Sequence, residues 1–158
     1  LSLDKTETAE VIIHAISEVK KDMPKLDTVI TFQPTNPLRP TSLIEDAIKL
    51  FKSNDCDSLL SISEKKLKIG DLNGNLFKPR YKFGKQSRLL SPTFYENGLL
   101  YITSLQTLEK KKSLAGEKIF AYKTPFPFDQ VDLDTEDDFI YGELLLDHVK
   151  KELNFNYD

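Results

Sequence analysis

Thr28-Val-Ile-Thr-Phe-Gln-Pro-Thr-Asn-Pro-Leu-Arg39, followed by Ser42-Leu-Ile-Glu45 and then Ser58-Leu-Leu-Ser-Ile62, decides the fold class of this chain. The first five residues are a short β-rich run between turn formers, which predicts a strand buried on both faces of a sheet. Ser42 with Glu45 forms a capping-box pattern, and Leu43, Ile44, Ala47, Ile48 and Phe51 recur at helical spacing up to about Asn54. Ser58–Ile62 is a second strand of the same kind. Strand, helix, strand is the unit of an open α/β sheet, in which ligands bind beyond the carboxyl ends of the strands. The loop after Phe32 is a candidate site from its position alone.

Outward from this unit, Asp4 with Glu7 predicts the start of a preceding helix whose apolar stripe is Ala9, Ile12, Ile13, Ile16 and Val19, ending at Met23-Pro24. Downstream the pattern becomes more extended. Asp71-Leu-Asn-Gly-Asn75 between Lys66–Ile69 and Leu76-Phe77 predicts a hairpin, and Phe94–Thr103 and Lys118–Lys123 predict strands. A last helix is expected from about Thr135 to Leu153, with Phe139, Leu144, Leu145, Val149 and Leu153 on its apolar side.

The 158 residues are 39% hydrophobic and 30% charged, with a net charge of -3, enough for one domain with a core. That balance argues against general nucleic-acid coating. No apolar run reaches the roughly 20 residues that span a bilayer, and Leu1–Glu10 has no signal-peptide pattern. A soluble, cytoplasmic protein without a membrane partner is the expectation. A single cysteine, Cys56, and two histidines, His14 and His148, supply neither an internal disulfide nor a Cys/His zinc framework. All three are assigned structural roles.

Four stretches could carry chemistry. In Phe32–Arg39, prolines at 34, 37 and 40 stiffen a loop presenting Gln33, Thr35, Asn36 and Arg39. It is either a ligand loop or a connection that caps the second helix. Lys78–Arg88 holds five basic residues and no acidic one, so it is either an anion-binding loop using Arg80 or Arg88, or a solvated charge run. In Val131–Phe139, Thr135 predicts an N-cap, and Glu136, Asp137 and Asp138 complement the helix dipole with no further function. Asp132 and Asp134 precede that cap at i and i+2, where an extended chain places both carboxylates on one side; a hard cation such as Mg²⁺ would relieve their repulsion. In Tyr95–Thr103, Asn97-Gly98 predicts a bulge or a close backbone approach to a ligand. No serine or cysteine sits in a nucleophile motif.

Gln33-Pro-Thr-Asn-Pro-Leu-Arg39, Glu96-Asn-Gly-Leu-Leu-Tyr-Ile102 and Asp132-Leu-Asp-Thr-Glu136, in that order, resemble the motifs of the acylneuraminate cytidylyltransferases, the cytidine-monophosphate sialic acid synthetases. The resemblance covers nearly the whole chain. It implies an α/β fold with an open, mostly parallel mixed sheet flanked by helices, of the nucleotide-diphospho-sugar transferase type. It also implies a homodimer that joins CMP from CTP to the anomeric oxygen of a sialic-acid-like nonulosonic acid and releases pyrophosphate, with Mg²⁺ as cofactor.

By the same resemblance Asp132 and Asp134 are the metal-binding and catalytic aspartates, and Arg88 is a catalytic loop arginine. Gln33, Thr35, Asn36, Arg39, Lys66, Asn97, Gly98 and Tyr101 are substrate-binding residues. Two departures stand out. Nothing like the family's Ala-Arg-Gly-Gly-Ser-Lys-Gly phosphate loop precedes Leu1, so residues 1–158 are expected to be the C-terminal two-thirds or so of one such domain, N-terminally incomplete. Glu109–Gly116 lacks the aromatic pair that some members present to the partner's sugar. The alternatives are an inactive sugar- or nucleotide-binding fragment without the triphosphate loop, and a cytidylyltransferase for another acidic sugar.

Overall fold

The computed structural model describes residues 6–153. Its elements are α1 (Thr8–Val19), β1 (Thr28–Thr31), α2 (Thr41–Lys52), β2 (Ser58–Lys65), β3 (Gly70–Asn73), β4 (Leu76–Pro79), β5 (Thr93–Ser104), α3 (Leu105–Lys111), β6 (Ile119–Lys123) and α4 (Glu136–Leu153), with a 3-10 turn at Ser87–Leu89. Four strands form a mixed sheet in the order β1-β5-β2-β6. β1, β2 and β6 run one way, and β5 runs against β1 and β2. The β1-α2-β2 unit therefore exists, but its two strands are not neighbours: β5 is inserted between them. β1 is consequently paired on one side only among the described residues, and its four residues are half-buried rather than enclosed.

Helices cover both faces. On β1, Ile30 packs into a cluster with Leu43 and Ala47 of α2 and Leu145 and Val149 of α4, built on Leu59, Leu99, Leu100 and Ile102. The adjacent Val29 points the other way, into a cluster of Ala9 and Ile16 of α1 with Leu105 and Leu108 of α3. That opposition is the period-2 alternation of a strand. The helix stripe read from the sequence is buried or half-buried on α2, and on α1 it holds for Ala9, Ile12, Ile13 and Ile16, while Val19, in the last turn, is exposed. Asp4, the expected cap of α1, lies outside the described residues, and the helix instead begins at Thr8 with Glu7 as its N-cap, without a side-chain cap bond.

Three local expectations change. α2 starts at Thr41 with Pro40 as its N-cap, so Ser42 makes no side-chain cap. Proline serves here because its fixed φ suits a helix entry and its carbonyl accepts from Leu43 N at 3.1 Å. On α4, Leu145 and Val149 are buried but Phe139 and Leu144 stand 57% and 67% exposed, because Leu144 lies about 100° around the helix from Leu145. The Leu153 side chain lies outside the described ones. The hairpin's strand is Gly70–Asn73 rather than Lys66–Ile69, and Gly74-Asn75 forms its two-residue turn, with Gly74 at φ 57°.

Asp57, just before β2, fastens one end of the sheet. Its carboxylate accepts from Ser58 Oγ at 2.9 Å, Glu117 N at 2.8 Å and Lys118 N at 3.1 Å. Its backbone pairs with Lys118 O and Ser104 N at 3.1 and 3.0 Å. A side chain at Gly116 would overlap the carboxylate, so the loop before β6 lies directly on it. Burial by itself would raise the Asp57 pKa, but the two N–H donors and the Ser58 hydroxyl outweigh it and hold the carboxyl below its ordinary value. The stabilisation is therefore complete above about pH 4 and is lost as pH falls through the lower folded-state value. Asp57→Ala should lower stability by about 1–3 kcal/mol. Asp57→Asn should melt with less dependence on pH below about pH 4 than the natural chain, as pH-resolved thermal denaturation would show.

Candidate active site

The Phe32–Arg39 loop leaves the end of β1 and is held by its own arginine. Arg39 Nη1 donates to the carbonyl of Gln33 at 2.7 Å and to that of Asn36, and its guanidinium stacks on Phe32 at 4.8 Å. Arg39 is thus a staple of the loop through Nη1 and its guanidinium face. Asn36 is 1% exposed; its Nδ2 donates to Asn97 O at 3.1 Å, tying the loop to β5.

On β5, the sequence signal at Asn97-Gly98 marks a break in register. Leu60 faces Tyr101, but two residues further along β2 Ile62 faces Glu96, so β5 carries three extra residues. Side chains satisfy the backbone groups freed by this bulge. Ser61 Oγ donates to Leu100 O at 3.1 Å and accepts from Leu100 N at 3.0 Å. Asn97 Oδ1 accepts from Leu99 N at 3.2 Å, while its Nδ2 contacts Ser63 Oγ and Thr124 Oγ1, both at 2.9 Å. The Asn97 amide is therefore turned into the sheet, where it shapes the bulge. Gly98 sits at φ 70°, and a Cβ there would overlap Gln33 Oε1. The close approach expected at Gly98 is made by this chain's own glutamine.

The Asp132–Asp134 segment is brought to the same loop by one backbone bond, Leu133 N to Thr35 O at 2.7 Å. Thr35, Gln33, Thr31, Asp132 and Asp134 then line one cavity of about 430 Å³, closed on the other side by Thr8 of α1. Asp138 reaches back from the first turn of α4 and accepts from Thr135 N at 2.7 Å, Thr135 Oγ1 at 2.8 Å and Asp134 N at 3.1 Å. The Thr135 hydroxyl and then these backbone N–H groups hold the Asp138 carboxyl below its ordinary pKa. The expected cap at Thr135 is thereby present, and it fixes the chain that carries Asp132 and Asp134.

A second cavity of about 400 Å³ shares Gln33 and Thr8 with the first and is lined also by Tyr101, Glu96, Lys112 and Ser113. The Tyr101 hydroxyl donates to Glu96. Burial first, then the Glu96 carboxylate and the charge of Asp132, push the Tyr101 phenol far above its usual value, so it stays protonated and a donor. The shared residues make the two cavities neighbours, with Gln33 and Thr8 on the border between them.

Lys66 and Arg88 line neither cavity. Lys66 Nζ donates to Arg88 O at 2.9 Å and Arg88 Nε to Gln86 Oε1 at 2.7 Å, on and beside the 3-10 turn. Arg80, an alternative anion ligand in the basic loop, is paired with Asp71 of the hairpin. Thr8, Glu96 and Lys112 escaped the sequence reading. Glu96 lay inside a quoted motif; Thr8 and Lys112 carried no local signal, because only packing brings the ends of α1 and α3 to these cavities.

Among the described residues no group of three or more His, Cys, Asp or Glu side chains is placed to hold a metal ion. Asp132 and Asp134 offer two exposed carboxylates on one cavity wall. Such a donor set suits Mg²⁺, which binds one or two carboxylates and keeps water or substrate phosphate in its other positions.

No family model matches the sequence. Over 161 aligned residues it is 28% identical to the N-acylneuraminate cytidylyltransferase of Streptococcus agalactiae serotype III, covering 96% of this chain and 38% of that protein. It is 25% identical over 153 residues to the CMP-N,N'-diacetyllegionaminic acid synthase of Legionella pneumophila, covering 93% of this chain and 66% of the relative. The chain thus spans well under half the length of the streptococcal relative. Its structure superimposes on a 4-diphosphocytidyl-2C-methyl-D-erythritol synthase from Anaerococcus prevotii with a TM-score of 0.61, at 10% identity, covering 90% of this chain and 68% of that one. The chain has a nucleotidyltransferase fold, and over nearly all of its length its sequence is similar to cytidylyltransferases of the acylneuraminate and legionaminate type.

Proposed function

We propose that this chain is a cytidylyltransferase-type domain that joins CMP from CTP to the anomeric oxygen of a sialic-acid-like nonulosonic acid, releasing pyrophosphate. The observation that carries the reading is the convergence of Gln33, Thr35, Asp132 and Asp134 on one cavity, through the Leu133–Thr35 backbone bond. The relatives named for acylneuraminate and legionaminate chemistry supply the substrate class.

Asp132 and Asp134 would hold Mg²⁺, which when bound offsets negative charge on phosphate oxygens. The chain's own residues orient the sugar. The Gln33 backbone is held by Arg39 and its side chain reaches over Gly98, and Tyr101 presents a protonated hydroxyl in the adjoining cavity. The substrate's own hydroxyl is the nucleophile, and positioning accounts for much of the rate. A homodimer in a reducing cytoplasm belongs to the same proposal; the exposed Leu72, Leu76 and Phe77 of the β3–β4 hairpin are apolar surface that a second copy could cover.

Pyrophosphate release from CTP, followed with and without Mg²⁺ over a panel of nonulosonic acids, tests the reading. Release with CTP and one such sugar supports it. Sugar binding without release would favour a non-catalytic sugar-binding role, and binding of neither CTP nor any nonulosonic acid would overturn it.

A further inference from the structure

We infer that Lys112 is the specificity residue that pairs with the carboxylate of the acidic sugar, an assignment that rests on the cytidylyltransferase reading above. Two independent observations lead to it. The first is charge. Among the described residues, those lining the two cavities include four acidic ones, Glu7, Glu96, Asp132 and Asp134, and a single basic one, Lys112. A sugar that is itself an anion would be repelled by such surroundings unless a cation met its carboxylate, and Lys112, which lines the same cavity as Gln33 and Tyr101, is the residue there that can supply one. Lys112 has no ion pair or side-chain hydrogen bond with the described residues, whereas neighbouring Lys111 is paired with Glu117.

The second is backbone conformation. Lys112 ends α3 in the left-handed region, at φ 51° and ψ 41°, with its N–H donating to Leu108 O at 2.9 Å. It is the one non-glycine residue with positive φ among the described residues. Glycine or asparagine normally holds this position, because Cβ crowds the backbone there. A long cationic side chain at a site where the fold favours glycine is a local rule broken, and such breaks cluster at functional positions.

The surroundings make Lys112 a defined anchor. The loop after it is pinned to the sheet by Thr103 Oγ1 to Leu114 O at 2.6 Å and by Gly116 N to Ser58 Oγ at 2.9 Å. α3 holds its other side through buried Leu105 and Leu108. Rigid flanks reduce the ordering cost of binding.

Calorimetric titration of the natural chain and of Lys112→Met with N-acetylneuraminic acid, its methyl ester and Mg²⁺-CTP tests the assignment. The expected result is that the natural chain prefers the acid to the ester by about tenfold or more, and that Lys112→Met loses this preference while CTP affinity is unchanged. Lys112→Arg should retain much of the preference. Lys112→Gly should lose it while melting no lower than the natural chain, which separates binding from folding. If Lys112→Met keeps the preference for the acid, or weakens CTP instead of the sugar, the Lys112 assignment is overturned and the cytidylyltransferase reading stands. If the natural chain binds neither the acid nor CTP, that reading falls and the assignment with it.

Discussion

Alanine at Asp132 or Asp134 should reduce turnover by about 10³-fold or more while leaving the fold in place, since electrostatic stabilisation at a transferring phosphate contributes several kcal/mol. The structural reason to expect a clean result is that both carboxylates are exposed on the cavity wall, and neither side chain makes a hydrogen bond among the described contacts. What places this segment is backbone and neighbour chemistry: Leu133 N on Thr35 O, and Asp138 on the Thr135 and Asp134 N–H groups. Those bonds survive either substitution. Each variant should therefore melt close to the natural chain, and Asp138→Ala should show the converse, a lower melting temperature from the loss of its bonds to Thr135 and Asp134. Turnover retained by both Asp132→Ala and Asp134→Ala would remove the metal-binding assignment.

Gly98→Ala should damage both the fold and the proposed sugar pocket. Its φ of 70° puts an alanine in the left-handed region, at a cost of about 1–2 kcal/mol. The new methyl would also occupy the place of Gln33 Oε1. Because the obstructed atom ends a flexible side chain, the glutamine can swing away, so the steric overlap is relieved at the expense of Gln33's place at the cavities. Sugar affinity should fall by about tenfold with CTP affinity little changed. A double-mutant cycle makes this specific: if Gly98 acts through Gln33, adding Gln33→Ala to Gly98→Ala should cost no further sugar affinity. Full additivity would show that the bulge acts on the pocket by another route.

The elements whose evidence lies within a few residues were legible in the chain. The stripes of α1 and α2, the apolar run of β2, the Gly98 irregularity and the Thr135 cap before α4 all follow from side-chain period, glycine's access to positive φ, and hydrogen bonds over three residues. So did the pairing of Asp132 with Asp134 on one cavity wall, since i and i+2 share a side in an extended segment. Which faces of α4 are buried was less legible, because a helix with apolar residues on several sides gives no single stripe until its neighbours are in place.

What only the tertiary structure decided is how these pieces meet and which polar groups they consume. Hydrogen bonds between distant strands insert β5 between β1 and β2, and one bond between two loops distant in sequence carries the aspartates to the Gln33–Thr35 loop. Long-range pairing turns Asn97 onto Ser63 and Thr124, while the local course of the loop and of the hairpin turns Arg39 onto the Gln33 and Asn36 carbonyls and Arg80 onto Asp71, so each of these polar groups also supports the fold. Buried or crowded polar groups must find a partner, and the nearest one is set by the fold, not by sequence spacing. Lys112 shows the reverse case: nothing in Glu109–Gly116 distinguishes one lysine from the next, yet packing pairs Lys111 with Glu117 and leaves Lys112 at the second cavity, because a helix end directs successive side chains apart.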